Sequence, residues 1–403
     1  MSAPSDQIEK QPIWFIALYA LAAGGGSVAY VPLLTVLLPL KITQLQGTED
    51  VAALASVTFF GAIIASIANI LFGWLSDRSR SRMPWIIAGL FTSSGLLIAI
   101  GHTEGVWELI VLIMLWQMGL NMMLGPLIAW AGDCFPDSQK GLLGGALSLA
   151  PALGALAGSL VTFELLVPSS YRLGFVALLV ILLVLPAVIV GRNRMRPTLM
   201  HASSRDETEQ ASKAAGATVV RMWIARFLVQ IAEAGLFAFL LFWLRSLSQG
   251  IHENTAANIF SLVLIVSVPI TLWIGRWSDA KRRPIMPLTA CALASAAGLG
   301  VMASANSLEL AIVGYVLFGI AATIFLSLHT GQTLRVLPQP RTRGRDMGLF
   351  NLTNTVPSLV MPWLTLTLVP GFGFTALFAL FAALALLAAA MLASIPDRAA
   401  DAD

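Results

Sequence analysis

Charged residues are scarce in this sequence: Asp, Glu, Lys and Arg together make up 11% of its 403 residues. A soluble globular protein carries roughly 25% charged residues, so this chain has too little polar surface to cover a water-soluble body of its size. The hydrophobic residues, 57% of the chain, also come in blocks, most of which exceed the roughly 18 to 20 residues that cross a bilayer as a helix. The composition therefore excludes a soluble protein and predicts an all-α integral membrane protein.

Residues that would support catalysis or metal binding are also few. The two cysteines, Cys134 and Cys291, lie in or beside apolar blocks and imply no disulfide framework. The four histidines are scattered, and the sequence has no paired metal-binding spacing, no phosphate-binding glycine-rich loop with lysine and no Ser-His-Asp set. We therefore expect no enzyme, no cofactor and no metal, and an ATP-driven pump is disfavoured. The pI is near 9.1, but the bases fall in short gaps between apolar blocks, which argues against nucleic acid as a partner.

Twelve apolar spans can be drawn along the chain, six on each side of a polar segment. The first six cover 13–40, 51–75, 84–102, 107–131, 141–163 and 172–191. The second six cover 218–246, 255–275, 285–304, 307–334, 347–369 and 373–395. We therefore predict twelve transmembrane helices, arranged as an N-terminal six-helix bundle over 1–191, a linker over 192–217 and a C-terminal six-helix bundle over 218–403.

The lysines and arginines predict which way the chain crosses the membrane. With the N-terminus inside, most of the 24 Lys and Arg residues fall on the cytoplasmic side, whereas Lys41, Arg172 and Arg245 fall outside and Arg226 lies within a span. Cytoplasmic loops are enriched in these residues, so both termini and the linker are expected in the cytoplasm. The first apolar block is too long for a signal peptide and is interpreted as an uncleaved span. An excess of arginine over lysine, with abundant alanine, hints at a GC-rich bacterium and hence at its inner membrane.

The two halves repeat each other in sequence. Gly73-Trp-Leu-Ser-Asp77 returns as Gly275-Arg-Trp-Ser-Asp279, and a basic cluster followed by a proline comes after each copy. The next polar gaps also match, each with an apolar residue and proline followed by a base and glycine: 135–136 with 140–141, and 337–338 with 343–344. Two six-span halves related in this way are the architecture of transporters built from parallel repeats.

The 73–82 segment resembles the signature loop of the major facilitator superfamily, whose pattern is Gly, three residues, Asp, a base, then Gly and further bases. The copy at 275–283 resembles the weaker second-half version of that loop. Arg80 stands where the family has its second glycine, which puts the tight turn of the loop in question. The resemblance covers essentially the whole chain. It implies twelve transmembrane helices in two pseudo-symmetric six-helix bundles, and secondary transport by alternating access.

The resemblance also implies a cytoplasmic gate, in which the aspartate of the loop pairs with bases across the interface between the halves. The gate residues that we infer are Asp77, Arg78, Arg82, Asp279, Arg283 and Asp133. Asp77 and Asp279 also precede the first turn of a helix, where an acid is favoured by roughly 0.3 to 1 kcal/mol. The bases have an alternative role in setting topology alone. Asp133 has two open interpretations: a helix end in water, or a partner for Arg335 or Arg345.

Below the superfamily, the segment 343–357 looks like a loop and eleventh span of sucrose- and glycoside-type cation symporters. The fourth span lacks the arginine that many proton-driven drug exporters carry, and the fifth span lacks the Gly-Pro pair of the antiporter motif. We therefore favour uptake of a small solute by proton-coupled symport, carried out by a monomer. Two alternatives stay open: an efflux antiporter of amphipathic compounds, and a non-transporting assembly or scaffold protein.

The seventh span carries the most informative group of polar residues. Arg226, Gln230, Glu233 and Phe237 share one helical face. Glu233 falls near mid-membrane, where a charge costs at least roughly 2.5 to 3.5 kcal/mol, so it should face the bundle interior and have a partner. We predict that Glu233 and Arg226 form a proton-coupling ion pair, although direct contact needs both side chains extended, with Gln230 between them. The competing interpretation is a fixed polar link between helices.

Other polar residues mark a candidate solute cavity. They are Gln230, Gln117, Asn121, Trp116, Tyr30, Asn351 and Asn354. Amides within a span can bond a polyhydroxy or amide solute, and Trp116 can stack on a ring. For any one amide, an interhelical hydrogen bond worth about 0.6 kcal/mol is an equal alternative. The expected partners are therefore a small-molecule solute, protons and the lipid bilayer.

Overall fold

The computed structural model describes residues 10–46, 51–163, 166–195, 209–248, 253–337 and 340–395. These ranges consist of helices joined by short turns, and they contain no β-strand. Ten segments within them are long and apolar enough to cross a membrane. A bilayer core offers no water to backbone N–H and C=O groups, so spans that satisfy these groups internally, as helices do, are the expected solution. The all-helical fold predicted from composition is confirmed.

Within the described residues, six helices build the first half. They are α1 (Ile13–Gln46), α2 (Val51–Arg78), α3 (Met83–Gly101), α4 (Val106–Cys134), α5 (Lys140–Leu147 and Leu149–Thr162) and α6 (Arg172–Gly191). Inside α1, a π-helical stretch over Leu33–Leu37 directly follows Pro32, whose missing N–H removes one donor from the helical ladder. Pro84 lies in the first turn of α3, where a backbone N–H has no helical partner in any case.

Six more helices build the second half. They are α7 (Glu209–Leu247), α8 (Glu253–Lys281), α9 (Met286–Ala303), α10 (Leu308–Val336) and the run Arg343–Ala393, which holds α11 and α12. Gly373 divides that run, because its φ of 72° and ψ of 178° are not helical and are open almost exclusively to glycine. We therefore use α11 for 343–372 and α12 for 374–393.

Each predicted span corresponds to one helix, with differences at the ends. α1 continues to Gln46, past the predicted end at 40. α7 begins at Glu209, inside the segment predicted as a linker, and residues 196–208 of that segment lie outside the described residues. A helix can continue past the hydrocarbon layer into water, where polar residues cost nothing, so hydropathy marks the membrane-crossing part rather than the whole helix.

The two halves pack in the same way. In the first half α1 contacts α5 and α6, and α4 contacts α2 and α3; in the second half α7 contacts the α11–α12 run, and α10 contacts α8 and α9. The halves meet through two pairs of equivalent contacts: α2 against α11 with α8 against α5, and α4 against α11 with α10 against α5. This arrangement brings the C-terminal ends of α2 and α8 to the same end of the bundle. We call this end of the bundle the arginine-rich end, because Arg82, Arg335 and Arg343 lie there at the interface between the halves.

Candidate functional site

At the arginine-rich end, Asp77 of α2 joins the two halves. Its Oδ1 accepts hydrogen bonds from the backbone N–H of Gly344 at 3.0 Å and from Arg82 Nη1 at 2.5 Å, and its Oδ2 accepts one from the backbone N–H of Arg345 at 2.9 Å. Gly344 and Arg345 open α11, and the first N–H groups of a helix have no partner within it. Asp77 therefore caps a helix of the other half and not α3, the next helix along the chain, as the sequence suggested. Its charge faces the positive end of the α11 dipole.

Asp133, at the end of α4, adds a second acid to this contact. It accepts from Arg82 Nε at 3.0 Å and from Arg343 Nη1 at 2.6 Å, and its side chain is 2% exposed. Burial opposes the positive charge of Arg82, but the charges of Asp133 and Asp77 outweigh burial and raise the pKa of the guanidinium. We call Asp77, Arg82, Asp133 and Arg343 the Asp77 latch.

The contacts of Asp133 correct both interpretations of this residue. Asp133 is not a helix end in water, and its partners are neither Arg335 nor Arg345. Arg335 pairs with Asp279 instead, and the side chain of Arg345 pairs with Asp346, its neighbour in sequence. The reason is the packing of α11 against α2 and α4, which places the first residue of α11 beside the end of α4.

The second half repeats the helix cap. Asp279, near the end of α8, accepts from the backbone N–H of Gly141 at 2.9 Å through Oδ1 and from that of Leu142 at 2.8 Å through Oδ2. Gly141 and Leu142 lie in the first turn of α5, in the first half. The cap of α11 by Asp77 and the cap of α5 by Asp279 are thus related by the internal repeat.

The charges around Asp279 differ from those around Asp77. Arg335 forms a salt bridge with Asp279 and donates a hydrogen bond to the carbonyl of Asp137. Lys140 Nζ donates to Asp137 Oδ1 at 2.6 Å and to the carbonyl of Leu334 at 2.9 Å. We call Asp279, Arg335, Lys140 and Asp137 the Asp279 latch.

Glycines let the helix ends in both latches approach one another. Gly73 of α2 faces Gly344 of α11, and Gly275 of α8 faces Gly141 of α5. A Cβ atom placed on any of these four residues would collide with the facing backbone carbonyl. The glycines of the repeated motif are therefore needed for backbone contact across the interface.

The basic loops beside the latches keep a tight turn without glycine. Arg80 and Arg282, at matching places in the two loops, have φ values of 52° and 54°. Arg80 thus adopts the left-handed conformation expected of the glycine that it replaces, at a cost of about 1–3 kcal/mol. Two further residues predicted for the gate, Arg78 and Arg283, are exposed and form no salt bridge with a described residue. They lie outside both latches.

In the second half, α7 carries a buried cation, Arg226. Its Nη1 donates to the carbonyl of Leu326 at 2.9 Å and to Thr330 Oγ1 at 3.2 Å, both on α10. Its Nε donates to Thr353 Oγ1 at 3.1 Å and its Nη2 to Asn354 Oδ1 at 3.2 Å, both on α11. The residue is 9% exposed. Within the described chain the guanidinium therefore has four neutral acceptors and no acid partner.

Glu233 lies two turns further along α7 and has different neighbours. Gln230 Nε2 donates to Glu233 Oε2 at 2.5 Å. The expected direct contact between Glu233 and Arg226 is absent, because the guanidinium is held by acceptors on α10 and α11. The side chain of Phe237, on the same face, lies outside the described residues.

The amides predicted for the first half bond mainly to each other. Asn69 Nδ2 donates to Asn121 Oδ1 at 2.9 Å, and Asn121 Nδ2 donates to the carbonyl of Gln117 at 2.9 Å. All three residues are buried. Trp116 is fully buried as well, so the expected stacking of its ring on a solute does not occur in this conformation. Of the first-half cavity candidates, Tyr30 is the exposed one, with 40% of its surface accessible.

The predicted residues of α11 lie beside Arg226. Asn354 Nδ2 donates to Asn351 Oδ1 at 2.9 Å. Both amides line a cavity of about 50 Å³, which also contacts Arg226, Thr330, Thr333, Met347, Phe350 and Ile128. Ile128 comes from α4, so this cavity lies between the two halves. The structure therefore brings Arg226, Asn351 and Asn354 together and leaves Gln117 and Asn121 in a separate cluster.

Sequence reasoning missed three residues of these polar clusters: Asn69, Thr330 and Thr353. Each is a polar residue inside an apolar span, and that interruption is the signal that could have marked it. A threonine within a helix can satisfy its hydroxyl on a carbonyl of its own helix, as Thr330 also does with Leu326 at 3.1 Å. For this reason threonine carries less information in a membrane span than Asn or Arg.

Comparisons with known proteins identify the fold. The sequence matches the family model described as Major Facilitator Superfamily over residues 13–242 and 222–402. No curated protein sequence matches the chain. The structure is similar to that of the human organic anion transporter MFSD10, with a TM-score of 0.73 and 15% identity over 95% of this chain and 100% of that chain. It is also similar to the proton:xylose symporter XylE, with a TM-score of 0.70 and 15% identity over 95% of this chain and 96% of that chain. The E. coli fucose:proton symporter FucP gives a TM-score of 0.69 and 15% identity over 94% of this chain and 97% of that chain.

Proposed function

Because this chain belongs to the major facilitator superfamily, we propose that it is a secondary transporter that carries a small solute into the cell together with protons. The family and the fold support transport rather than catalysis. The choice of proton-coupled uptake rests on the residues of this chain, above all on the surroundings of Glu233.

The orientation in the proposal follows from the distribution of bases. The loops at the arginine-rich end carry most of the Lys and Arg residues of the described chain, and loops of this kind face the cytoplasm. On this orientation the two latches close the cytoplasmic side. Release of solute into the cell then requires the caps of α11 by Asp77 and of α5 by Asp279 to separate, together with the salt bridges beside them.

The observation that carries the proton-coupling proposal is the hydrogen bond between Gln230 and Glu233. Glu233 has no salt-bridge partner in the described chain, so a proton can neutralise it without leaving a cation unpaired. When Glu233 is ionised, its Oε2 accepts from Gln230 Nε2 at 2.5 Å. The Oε1 of the same amide is buried and has no partner among the described residues, so after rotation of the amide it can accept the O–H of a protonated Glu233. Gln230 can thus stabilise both protonation states.

The test separates proton coupling from solute binding. A thermal-shift screen of the purified protein against sugars and organic acids identifies a solute, since a ligand at 100 times its dissociation constant adds about 2.7 kcal/mol of stability. Glu233→Gln keeps the shape of the side chain and removes its titration. We expect this variant to bind the solute and to exchange it across proteoliposome membranes, but not to concentrate it when a pH gradient is imposed.

The matched control is Glu309→Gln, the same substitution at an exposed acid in the first turn of α10. This control should accumulate solute as the wild type does. Uphill uptake by Glu233→Gln under the imposed gradient would show that Glu233 is not the coupling site and that its bond to Gln230 is structural.

A further inference from the structure

Arg226 is a buried cation whose charge is not balanced by its own contacts. Its four hydrogen bonds go to a carbonyl, two threonine hydroxyls and an amide oxygen. The acid nearest to it along α7, Glu233, is bonded to Gln230 instead. A charge at membrane depth is costly and is normally paired, so a guanidinium with neutral acceptors alone is prepared for a partner that comes from outside the described chain.

In the described part of the chain, the groups that surround Arg226 on other helices do not include an acid. On α10 they are Thr330 and Thr333. His329, which directly precedes Thr330, has its ring nitrogens engaged with the carbonyl of Met222 and the hydroxyl of Thr333. On α11 the neighbours are amides, Thr353 and apolar residues, and on α4 the neighbour is Ile128. Among the described residues that line the cavity, Arg226 is therefore the one that carries a charge.

Two hydrogen-bond donors beside this cavity are left unused. A guanidinium has five N–H groups, and the four bonds of Arg226 leave one N–H of Nη2 without a described acceptor. Asn351 lines the same cavity, and its Nδ2 donates to no described group, since the bond to Asn354 uses its Oδ1. One charged and one neutral donor match the two oxygens of a carboxylate, and hydrogen bonds with ionised groups on both sides are the strong ones.

The size of the cavity limits what enters it in this conformation. Its volume is about 50 Å³, and a cavity needs roughly 10–15 Å³ to hold one water molecule. This space suits a single carboxylate group and not a whole solute. Because Ile128 belongs to the other half, separation of the halves would open the cavity and leave room for the rest of the molecule.

We propose that Arg226 and Asn351 form an anion subsite on the transport path, and that the transported solute is an organic carboxylate. The part of this inference that concerns transport rests on the proposed function. The binding part does not, since it needs neither Glu233 nor a proton gradient.

The experiment compares carboxylates with their neutral amides. Purified protein is titrated with lactate against lactamide, benzoate against benzamide and succinate against succinamide, with sodium chloride at equal ionic strength as the salt control. Thermal shift and calorimetry report binding. We expect at least one carboxylate to bind and to raise the unfolding temperature, while its amide and chloride do not.

Three variants then assign the site. Arg226→Gln should weaken carboxylate binding by at least about tenfold, which corresponds to about 1.4 kcal/mol. Asn351→Ala removes a hydrogen-bond donor without removing a charge, and it should weaken carboxylate binding several-fold. This variant tests the site even if Arg226→Gln does not fold. Arg221→Gln is the matched control, because Arg221 lies on the same helix, is only half-buried and donates to the carbonyl of Ser394. It should bind as the wild type does.

The outcomes separate this inference from the proposed function. If no carboxylate of the panel binds, if amide and carboxylate bind equally, or if Asn351→Ala and any folded Arg226→Gln bind as tightly as wild type, the anion subsite is wrong. If carboxylates fail but Glu233→Gln abolishes proton-driven uptake of a neutral sugar, the anion subsite falls and proton coupling stands. If a carboxylate binds through Arg226 while Glu233→Gln still accumulates it, the anion subsite stands and proton coupling at Glu233 falls.

Discussion

The Asp77 latch and the Asp279 latch occupy equivalent places in the two halves, yet they hold their charges differently. Both aspartates cap the first turn of a helix in the opposite half, with acceptor distances between 2.8 and 3.0 Å. The Asp77 latch contains two acids and two arginines, and each of these four side chains is at most 7% exposed. Around Asp279 there is one largely buried ion pair, while the acid that meets Lys140 is 68% exposed.

The comparison shows which features of the latch are the same in both halves and which differ. The caps are present in both latches because the first N–H groups of a helix need an acceptor. The facing glycines are present in both because a side chain at these positions would collide with the facing backbone. The charges differ because salt bridges of several compositions can fill the space beside a cap. Asp133 lies at the end of α4, and Arg335 lies at the equivalent place at the end of α10 in the second half. These two side chains carry opposite charges. The two latches are therefore expected to contribute unequally to closing the gate.

The largest difference between the latches is expected when the buried acid of the Asp77 latch, Asp133, is removed. Asp133→Asn leaves Arg343 without its described acid partner and leaves Arg82 with Asp77 alone. Breaking a buried pair by removing one partner costs about 3–5 kcal/mol, so we expect a strong loss of stability in detergent-solubilised protein, measured by thermal or denaturant unfolding. Arg335→Gln should cost less, about 1–3 kcal/mol, because Asp279 keeps both of its backbone donors. Equal losses in the two variants would remove the inequality between the latches.

A middle-sized test compares the two caps themselves. Asp77→Asn and Asp279→Asn each keep one side-chain oxygen and lose the charge that faces the helix end, an effect of about 0.3 to 2 kcal/mol. We expect both variants to fold and to transport more slowly. The larger decrease is expected for Asp77→Asn, because the arginine that it releases, Arg82, is more deeply buried than Arg335, which Asp279→Asn releases. Initial uptake rates and unfolding temperatures, measured on the same preparations, check this expectation. Wild-type rates in Asp77→Asn would show that the cap does not govern the gate.

The smallest effect is expected at a feature that both halves share, the arginine with positive φ in the basic loop. Arg80→Gly and Arg282→Gly each place glycine at a φ near 50°, where it is not strained. We expect similar gains in stability from both, about 0.5–1 kcal/mol, because relief of the left-handed strain is partly offset by the greater freedom of glycine in the unfolded chain. Unfolding temperatures of the two variants provide the measurement. Effects of opposite sign would show that one of these arginines makes a contact specific to its own half.

Part of the candidate site was predictable from the repeat. Asp77 and Asp279 were marked because a motif recurs with the same charge and the same glycine, and both residues join the halves. Asp133 was found, but its partners were not, since Arg343 follows it by 210 positions and no pattern in the sequence relates the two. Trp116 was assigned to a cavity from its depth in the span, but depth along a helix does not say whether a residue faces the cavity or a neighbouring helix.

The sequence by itself did not predict that Asp77 and Asp279 cap helices of the opposite half. It did determine the twelve-helix architecture, and its repeat marked these two aspartates. It could do so because the thickness of a bilayer imposes a length on every apolar span, and because the repeat preserves the residues that a helix end and a close backbone approach require. The tertiary structure alone decided which base meets which acid and that Arg226 bonds to neutral groups on α10 and α11 rather than to Glu233. The physical reason is that ion pairing depends on distances of a few ångströms between different helices, and these distances are set by how the helices pack and not by the spacing of residues along any one of them.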